Sequence, residues 1–153
     1  MSDLFDKLSE NIEDLVANIS IESKPLWGEM SIVEMLKHLT SGLELSSSYK
    51  DVKIVTPEDR LPGFRKFLMT EKLFMKGSPI PEEYKLFKQE DTSEISVLKK
   101  RFLEKFRAFK EETESNPDFW SVHPNFGKMD AEYTRQLQWK HITHHFTQFG
   151  IIS

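Results

Sequence analysis

The segment Lys140-His141-Ile142-Thr143-His144-His145-Phe146-Thr147-Gln148-Phe149-Gly150 ends a helical pattern that begins at Asp130, the residue placed to cap it. At about 100° per residue, positions four apart stack on one side of a helix, so His141 and His145 lie one turn above each other. Leu137, Ile142 and Phe149 fall around the same direction, which makes it the inward one. Thr134, Gln138 and Gln148 share it, and the result is a polar seam within an apolar face. His144 sits at the edge of this sector, toward Tyr133, while Trp139 and Phe146 point mostly away. Gly150 supplies the helix stop.

An inward seam of this kind has to be satisfied, because an unpartnered buried imidazole or amide costs on the order of 1–3 kcal/mol. Two readings meet that requirement. The histidines are hydrogen-bonded core residues, or they hold a metal ion. A metal needs a third ligand, and His38 is the best candidate, lying between Met35, Gly42 and Leu45 on the apolar side of an earlier helix. Gly42, one turn further on, removes bulk beside it. Three neutral imidazoles with an open fourth position resemble a catalytic zinc shell more than a structural one. The pattern is not HExxH, because Ile142-Thr143-His144 fills the gap and the zinc-protease base is missing. His144 is either a general base, a fourth ligand or an exposed bystander. Glu34 is either an acceptor orienting an imidazole or part of a capping box.

Outward from that segment the remaining elements are also helical. Leu4, Leu8, Ile12, Leu15 and Ile19 predict a first helix over 3–20. Pro25 and Gly28 mark a loop over 20–28. Ser31-x-x-Glu34 opens a second helix that runs to about Tyr49, with Ile32, Met35, Leu36, Leu39 and Leu43 on its apolar face. Val52 to Thr56 is the one strand-like run; with no partner and prolines 57 and 62 behind it, it is read as loop. A third helix is expected over 63–76, then an irregular stretch over 79–90, long enough to hint at a function. Asp91-x-x-Glu94 starts a further helix with the stripe Ile95, Leu98, Phe102, Phe106 and Phe109. Its Lys99, Lys100, Arg101, Lys105 and Arg107 form either a docking face or, with Glu104, Glu111 and Glu112 among them, a solvated surface. Asn116-Pro117 breaks that helix, and His123-Pro124-Asn125-Phe126-Gly127 follows as a loop. The expectation is an all-α, single domain over 1–153, a bundle of four main helices plus a short one.

Composition narrows the chemistry. The 153 residues contain no cysteine, which excludes disulfides, thiolate zinc sites, iron–sulfur clusters and a cysteine nucleophile. Any metal must be held by nitrogen and oxygen. A net charge of −4 argues against general nucleic-acid binding. The acidic, amphipathic start lacks the pattern of a signal peptide, and no apolar run exceeds four residues. The expectation is therefore a cytoplasmic protein with no membrane partner. Ser46-Ser47-Ser48 carries no nucleophile elbow, and the six glycines are scattered singly with no phosphate loop. The 12 phenylalanines raise the idea of an apolar-ligand carrier, although most of them fall on core faces.

Three blocks carry a resemblance. Leu26-Trp27-Gly28-Glu29-Met30-Ser31 leading into Glu34-Met35-Leu36-Lys37-His38-Leu39 looks like the second-helix entry of the DinB-like superfamily. His141-Ile142-Thr143-His144-His145-Phe146-Thr147-Gln148 resembles its His-x-x-His-His-x-x-Gln ending. With His123-Pro124-Asn125-Phe126-Gly127-Lys128 the chain is similar to an uncharacterised branch of that superfamily. The resemblance spans 26–150 and implies a DinB-like four-helix bundle of up-down-down-up course. It also implies a divalent metal, zinc or nickel, on His38, His141 and His145. Characterised members of the superfamily include thiol-dependent transferases and isomerases that use bacillithiol, mycothiol or glutathione. The implied function is a metal-dependent enzyme, thiol S-transferase-like or hydrolytic, whose partners are a low-molecular-weight thiol and a small electrophile. No catalytic residue beyond the metal ligands follows from the resemblance. The alternative is a non-catalytic bundle, a homodimer or partner-binding domain, with a structural ion or hydrogen-bonded histidines.

Overall fold

The computed structural model describes residues 2–48, 51–77 and 94–153. The expected end of the second helix at Tyr49, the irregular stretch 79–90 and the Asp91 cap lie outside these residues. The described chain is mostly helical, with one small two-stranded sheet. Its elements are α1 (Ser2–Ala17), α2 (Ile32–Ser48), α3 (Leu61–Leu68), α4 (Ile95–Ser115), β1 (Trp120–His123), β2 (Gly127–Asp130) and α5 (Ala131–Gln148), with a single 3-10 turn over Glu58–Arg60 before α3.

The long helices pack pairwise, α2 on α4 and α5, and α1 on α5 and α4. In α1 the buried line is Phe5, Leu8, Ile12 and Val16, continued by Ile19 beyond the helix. This face is rotated slightly from the expected one, and Leu4 and Leu15 fall at its edge. The α2 and α4 stripes hold as expected, except that Ile95 is only partly buried. Phe5 stacks on Phe106 with ring centroids 5.2 Å apart, and Phe102 meets Phe146 of α5 at 6.0 Å. The basic residues of α4 tie helices together. Lys99 Nζ donates to the carbonyls of Ile19 at 2.9 Å and Ala17 at 3.3 Å, at the end of α1. Lys105 pairs with Glu44, and Arg107 with Glu13.

Two expectations change. The third helix is shorter than 63–76 and starts earlier, with Pro62 in its first turn. It ends at Leu68 in a turn in which Met69 N–H donates to Lys66 O and Thr70 N–H to Phe67 O, both at 3.1 Å. The chain beyond is held by Lys140 Nζ, which donates to Thr70 O at 2.7 Å and to Lys72 O. The expected loop around His123 is instead the tip of an antiparallel hairpin, with Trp120 opposite Asp130 and His123 opposite Gly127. Gly127 has φ +72°, and a Cβ there would stand 2.8 Å from Arg65 Nη2. The hairpin tip is anchored. Val55 N–H donates to Pro124 O at 2.8 Å, Thr56 Oγ1 to Asn125 O at 2.8 Å, and Arg65 Nε to Phe126 O at 2.8 Å. The Val52–Thr56 segment is loop, as expected. Among the described residues, no helix is long and apolar enough to cross a membrane.

Candidate metal centre

His38 comes from α2, whose start is set by a reciprocal cap. Glu34 N–H donates to Ser31 Oγ at 3.0 Å, and Ser31 N–H donates to Glu34 Oε1 at 3.2 Å. Glu34 is therefore occupied at the cap. His141 and His145 come from α5, capped by Asp130, whose Oδ1 accepts from Tyr133 N–H at 3.0 Å. The bulk that Gly42 omits lies across the helix interface: a Cβ on it would stand 3.3 Å from Cε1 and Nδ1 of His141. This lets α5 bring His141 against α2.

The three rings meet edge to face, with centroids 4.6 Å apart for His38–His141 and 5.0 Å for the other two pairs. One ligand nitrogen from each lies within 4.8 Å of the others. His38 Nε2 and His141 Nε2 are 2.7 Å apart, a direct hydrogen bond in which one ring donates. Around a tetrahedral ion with metal–nitrogen bonds of about 2.0–2.1 Å, ligand nitrogens sit about 3.3 Å apart, so a small ring rotation separates the two cases.

His145 has its tautomer set by α5 itself. Its Nδ1–H donates to Gln148 Oε1 at 2.8 Å, and Gln148 Nε2 donates to Trp27 O at 3.0 Å. The proton on Nδ1 leaves the Nε2 lone pair free to bind. Leu26 N–H also donates to Gln148 O at 2.7 Å, which fastens the 20–31 loop to the end of α5. Gln138 Nε2 donates to Ser46 Oγ at 2.7 Å, which places Ser46 in a support role. Among the described residues, the buried Gln138 Oε1 has no hydrogen-bond partner.

Burial sets the charge state. It lowers the His145 pKa to about 3, with the neighbouring His38 adding to the effect and the Gln148 hydrogen bond opposing it. His141 is lowered well below 6.5, first by burial and then by His38 and His145. Both rings are neutral at pH 7, the state that binds a metal.

The remaining two histidines stand beside the triad, with the His144 ring 4.9 Å from that of His145. His144 is not the exposed bystander that was one of its expected readings, and the group of three converging nitrogens does not include it. It is half-buried between Trp27 and Phe74, at ring distances of 5.9 and 6.2 Å, and hydrogen-bonds the Phe74 backbone. His123 is buried at the hairpin tip. Its Nδ1 accepts from Asn125 N–H at 3.0 Å, so the neutral ring carries its proton on Nε2, and burial lowers its pKa to about 3. Both line a cavity of about 880 Å³ that has the triad, Gln138 and Gln148 on its wall. This volume falls in the range of small-molecule sites.

Sequence reasoning missed three parts of this arrangement: the clamp through Trp27, the fully buried Lys140, and the use of Phe64, Phe67 and Phe74 to line the cavity. Lys140 lies 4.4 Å above the Phe67 ring centroid, and burial lowers its pKa to about 8. A glutamine three residues after a histidine was the one local signal for the clamp. No protein-family model, curated protein or solved structure matches the chain.

Proposed function

We propose that the chain is a metal-dependent enzyme of the DinB-like superfamily. In this reading it is a four-helix bundle of up-down-down-up course whose His38, His141 and His145 hold a divalent zinc or nickel ion. The observation that carries the reading is the convergence of three histidine nitrogens within 4.8 Å on the wall of an open cavity. The donor set fits: neutral imidazoles suit zinc and nickel, and His145 is already held in the binding tautomer by Gln148. The unpartnered Gln138 Oε1 on the same cavity wall fits a small polar occupant at this place. Such an ion supplies Lewis acidity that lowers the pKa of a thiol or water in its open position. The reaction is S-transferase-like, and with no cysteine in the chain its thiol comes from a cosubstrate. The protein's own residues orient the ligand rings, keep them neutral and line the approach with apolar groups.

A second reading is favoured by one observation, the His38–His141 hydrogen bond of 2.7 Å, which satisfies two imidazoles without an ion. In that case the bundle is non-catalytic. Elemental analysis of protein purified without a histidine tag separates the two. About one zinc or nickel per chain is expected, lost in His145→Ala while the helical circular dichroism remains. A chain that is isolated without metal and takes up neither ion at micromolar concentration sinks the enzyme reading.

A further inference from the structure

The cavity has a wall unlike the triad it surrounds. Rings of Trp27, His144, Phe74 and Phe126 follow one another at centroid distances of 5.9, 6.2 and 6.4 Å, with Phe64 6.2 Å from Phe126 and Phe67 6.0 Å from Phe74. All are within aromatic contact range. They come from the loop before α2, from α3, from the chain after α3, from the hairpin tip and from α5. Phe126 and Phe74 back this wall from a small second core with Leu68, Met129 and Leu137, while Phe64 at its rim is still 42% exposed and so leaves aromatic surface open to the cavity.

The charges along this wall are equally one-sided. The chain has 25 acidic residues against 21 basic ones, yet no aspartate or glutamate is among the described lining residues. The one lysine there, Lys76, holds its Nζ 4.5 Å above the Trp27 ring centroid, at the exposed end of the row. At the other end of the row the buried His123 ring lies 4.9 Å from Phe126.

We infer that this wall is a binding site for a small aromatic anion, an arene carboxylate or a molecule of equivalent chemistry. Its ring lies among Trp27, Phe74 and Phe126, and its anionic group pairs with Lys76. The inference deepens the enzyme reading by naming the recognition class of the substrate, an aromatic acid whose electrophilic carbon, with its own leaving group, is carried on a further ring substituent. It rests on that reading only for the reaction. The seat itself uses no metal. Drug-sized ligands occupy about 300–1,000 Å³, so the cavity has room for an aromatic acid with a thiol beside it.

The test is titration of the full chain with 2-naphthoate, followed by tryptophan quenching and calorimetry, on protein as purified and after chelator treatment. Saturable binding of similar affinity is expected in both samples, with cyclohexanecarboxylate and 2-naphthylmethylammonium each at least about tenfold weaker. Lys76→Met should weaken naphthoate about threefold and leave neutral 2-naphthalenemethanol unchanged. Phe74→Leu should weaken both aromatic ligands several-fold, and Phe64→Ala, at an exposed position, should do the same to a smaller extent. Equal affinity for the ammonium and the carboxylate overturns the inference. So does absence of saturable binding at millimolar naphthoate, or binding that disappears on chelation and returns with zinc. Naphthoate binding by a chain that never carries metal upholds the aromatic site while removing the triad reading.

Discussion

Helix α5 has two faces built on different principles. Along one, Ile142 and Phe146, with Phe149 just past the helix end, enter the main core against α1, α2 and α4. Phe146, expected to point mostly away, is thus fully buried, and Ile142 and Phe149 leave the histidine sector in which the helical period put them. Along the other, His141, His145 and Gln148 are as well hidden from solvent, yet each polar atom needs a named partner. The first face gains stability in proportion to the apolar area it removes from water and tolerates exchange of one apolar group for another of similar size. The second gains little net stability from its hydrogen bonds, and loses the full desolvation penalty when one partner is removed. One helix thus joins the part of the molecule that keeps it folded to the part that fixes its chemistry.

The largest expected effect tests the apolar side. Phe106 is fully buried and stacks on Phe5, so Phe106→Ala should cost about 3–5 kcal/mol in urea unfolding. On the cavity side Phe64→Ala should change stability by no more than about 0.5 kcal/mol, because Phe64 leaves much of its ring exposed. Equal costs at the two sites would mean that Phe64 belongs to the small core of Leu68, Phe126, Met129 and Leu137 behind the cavity, and the contrast between the faces would fail.

Acid should act through the polar side. His123 is held near pKa 3 when folded against 6.5 as its ordinary value, so between those pH values the unfolded chain takes up a proton that the folded chain refuses. Its contribution is complete above pH 6.5 and is lost progressively as pH falls toward 3. Between pH 7.5 and 5.0 this amounts to about 2 kcal/mol. Comparing urea midpoints at those two pH values, His123→Gln should show a pH-dependent loss smaller by about that amount. An unchanged loss would place the responsible proton uptake elsewhere.

What was legible in the sequence divides along the same line. The α2 start and the α4 stripe depend on residues three or four apart, so a capping box and an apolar period were enough to place them. The His141–His145 pair was legible for the same reason. The course of the chain after α3 was not, because it is held by Lys140, 70 residues from the Thr70 carbonyl it meets. The hairpin was missed because its strands are four residues each, too short for an alternation to stand out, and its tip is held by Thr56 and Arg65. The aromatic wall has no period at all, since its rings come from separate segments. Gln148 stood in the polar seam, but its second partner, the Trp27 carbonyl, is 121 residues away.

That clamp supplies the next outcome. Gln148→Met keeps the side-chain length and removes both hydrogen bonds, which leaves His145 Nδ1–H and the Trp27 carbonyl without their partner. Stability should fall by about 1–2 kcal/mol. Zinc affinity should fall by about 10–100-fold, the usual cost of removing a partner that orients a ligand histidine. A stability loss with unchanged zinc affinity, measured by competition with a chelating dye, would show that the clamp serves the loop over 20–31 and not the metal centre.

The smallest stability effect should come with a large effect on the site. Replacing Gly42 by alanine in α2 gains up to about 1 kcal/mol of helix propensity, and the new methyl group meets the His141 ring at 3.3 Å. The ring has to move by a few tenths of an ångström, and the two effects on stability nearly cancel. Metal binding does not share in that cancellation, because only the displacement of His141 reaches it, so zinc affinity should drop while the unfolding midpoint stays within about 1 kcal/mol of the parent. Gly63→Ala is the control. Nothing lies within 4 Å of its added Cβ, so it should gain the helical stabilisation in α3 and leave zinc affinity unchanged. If the two alanines behave alike toward zinc, the close approach of α2 to His141 is packing without a role at the centre, and the two faces of α5 differ in polarity alone.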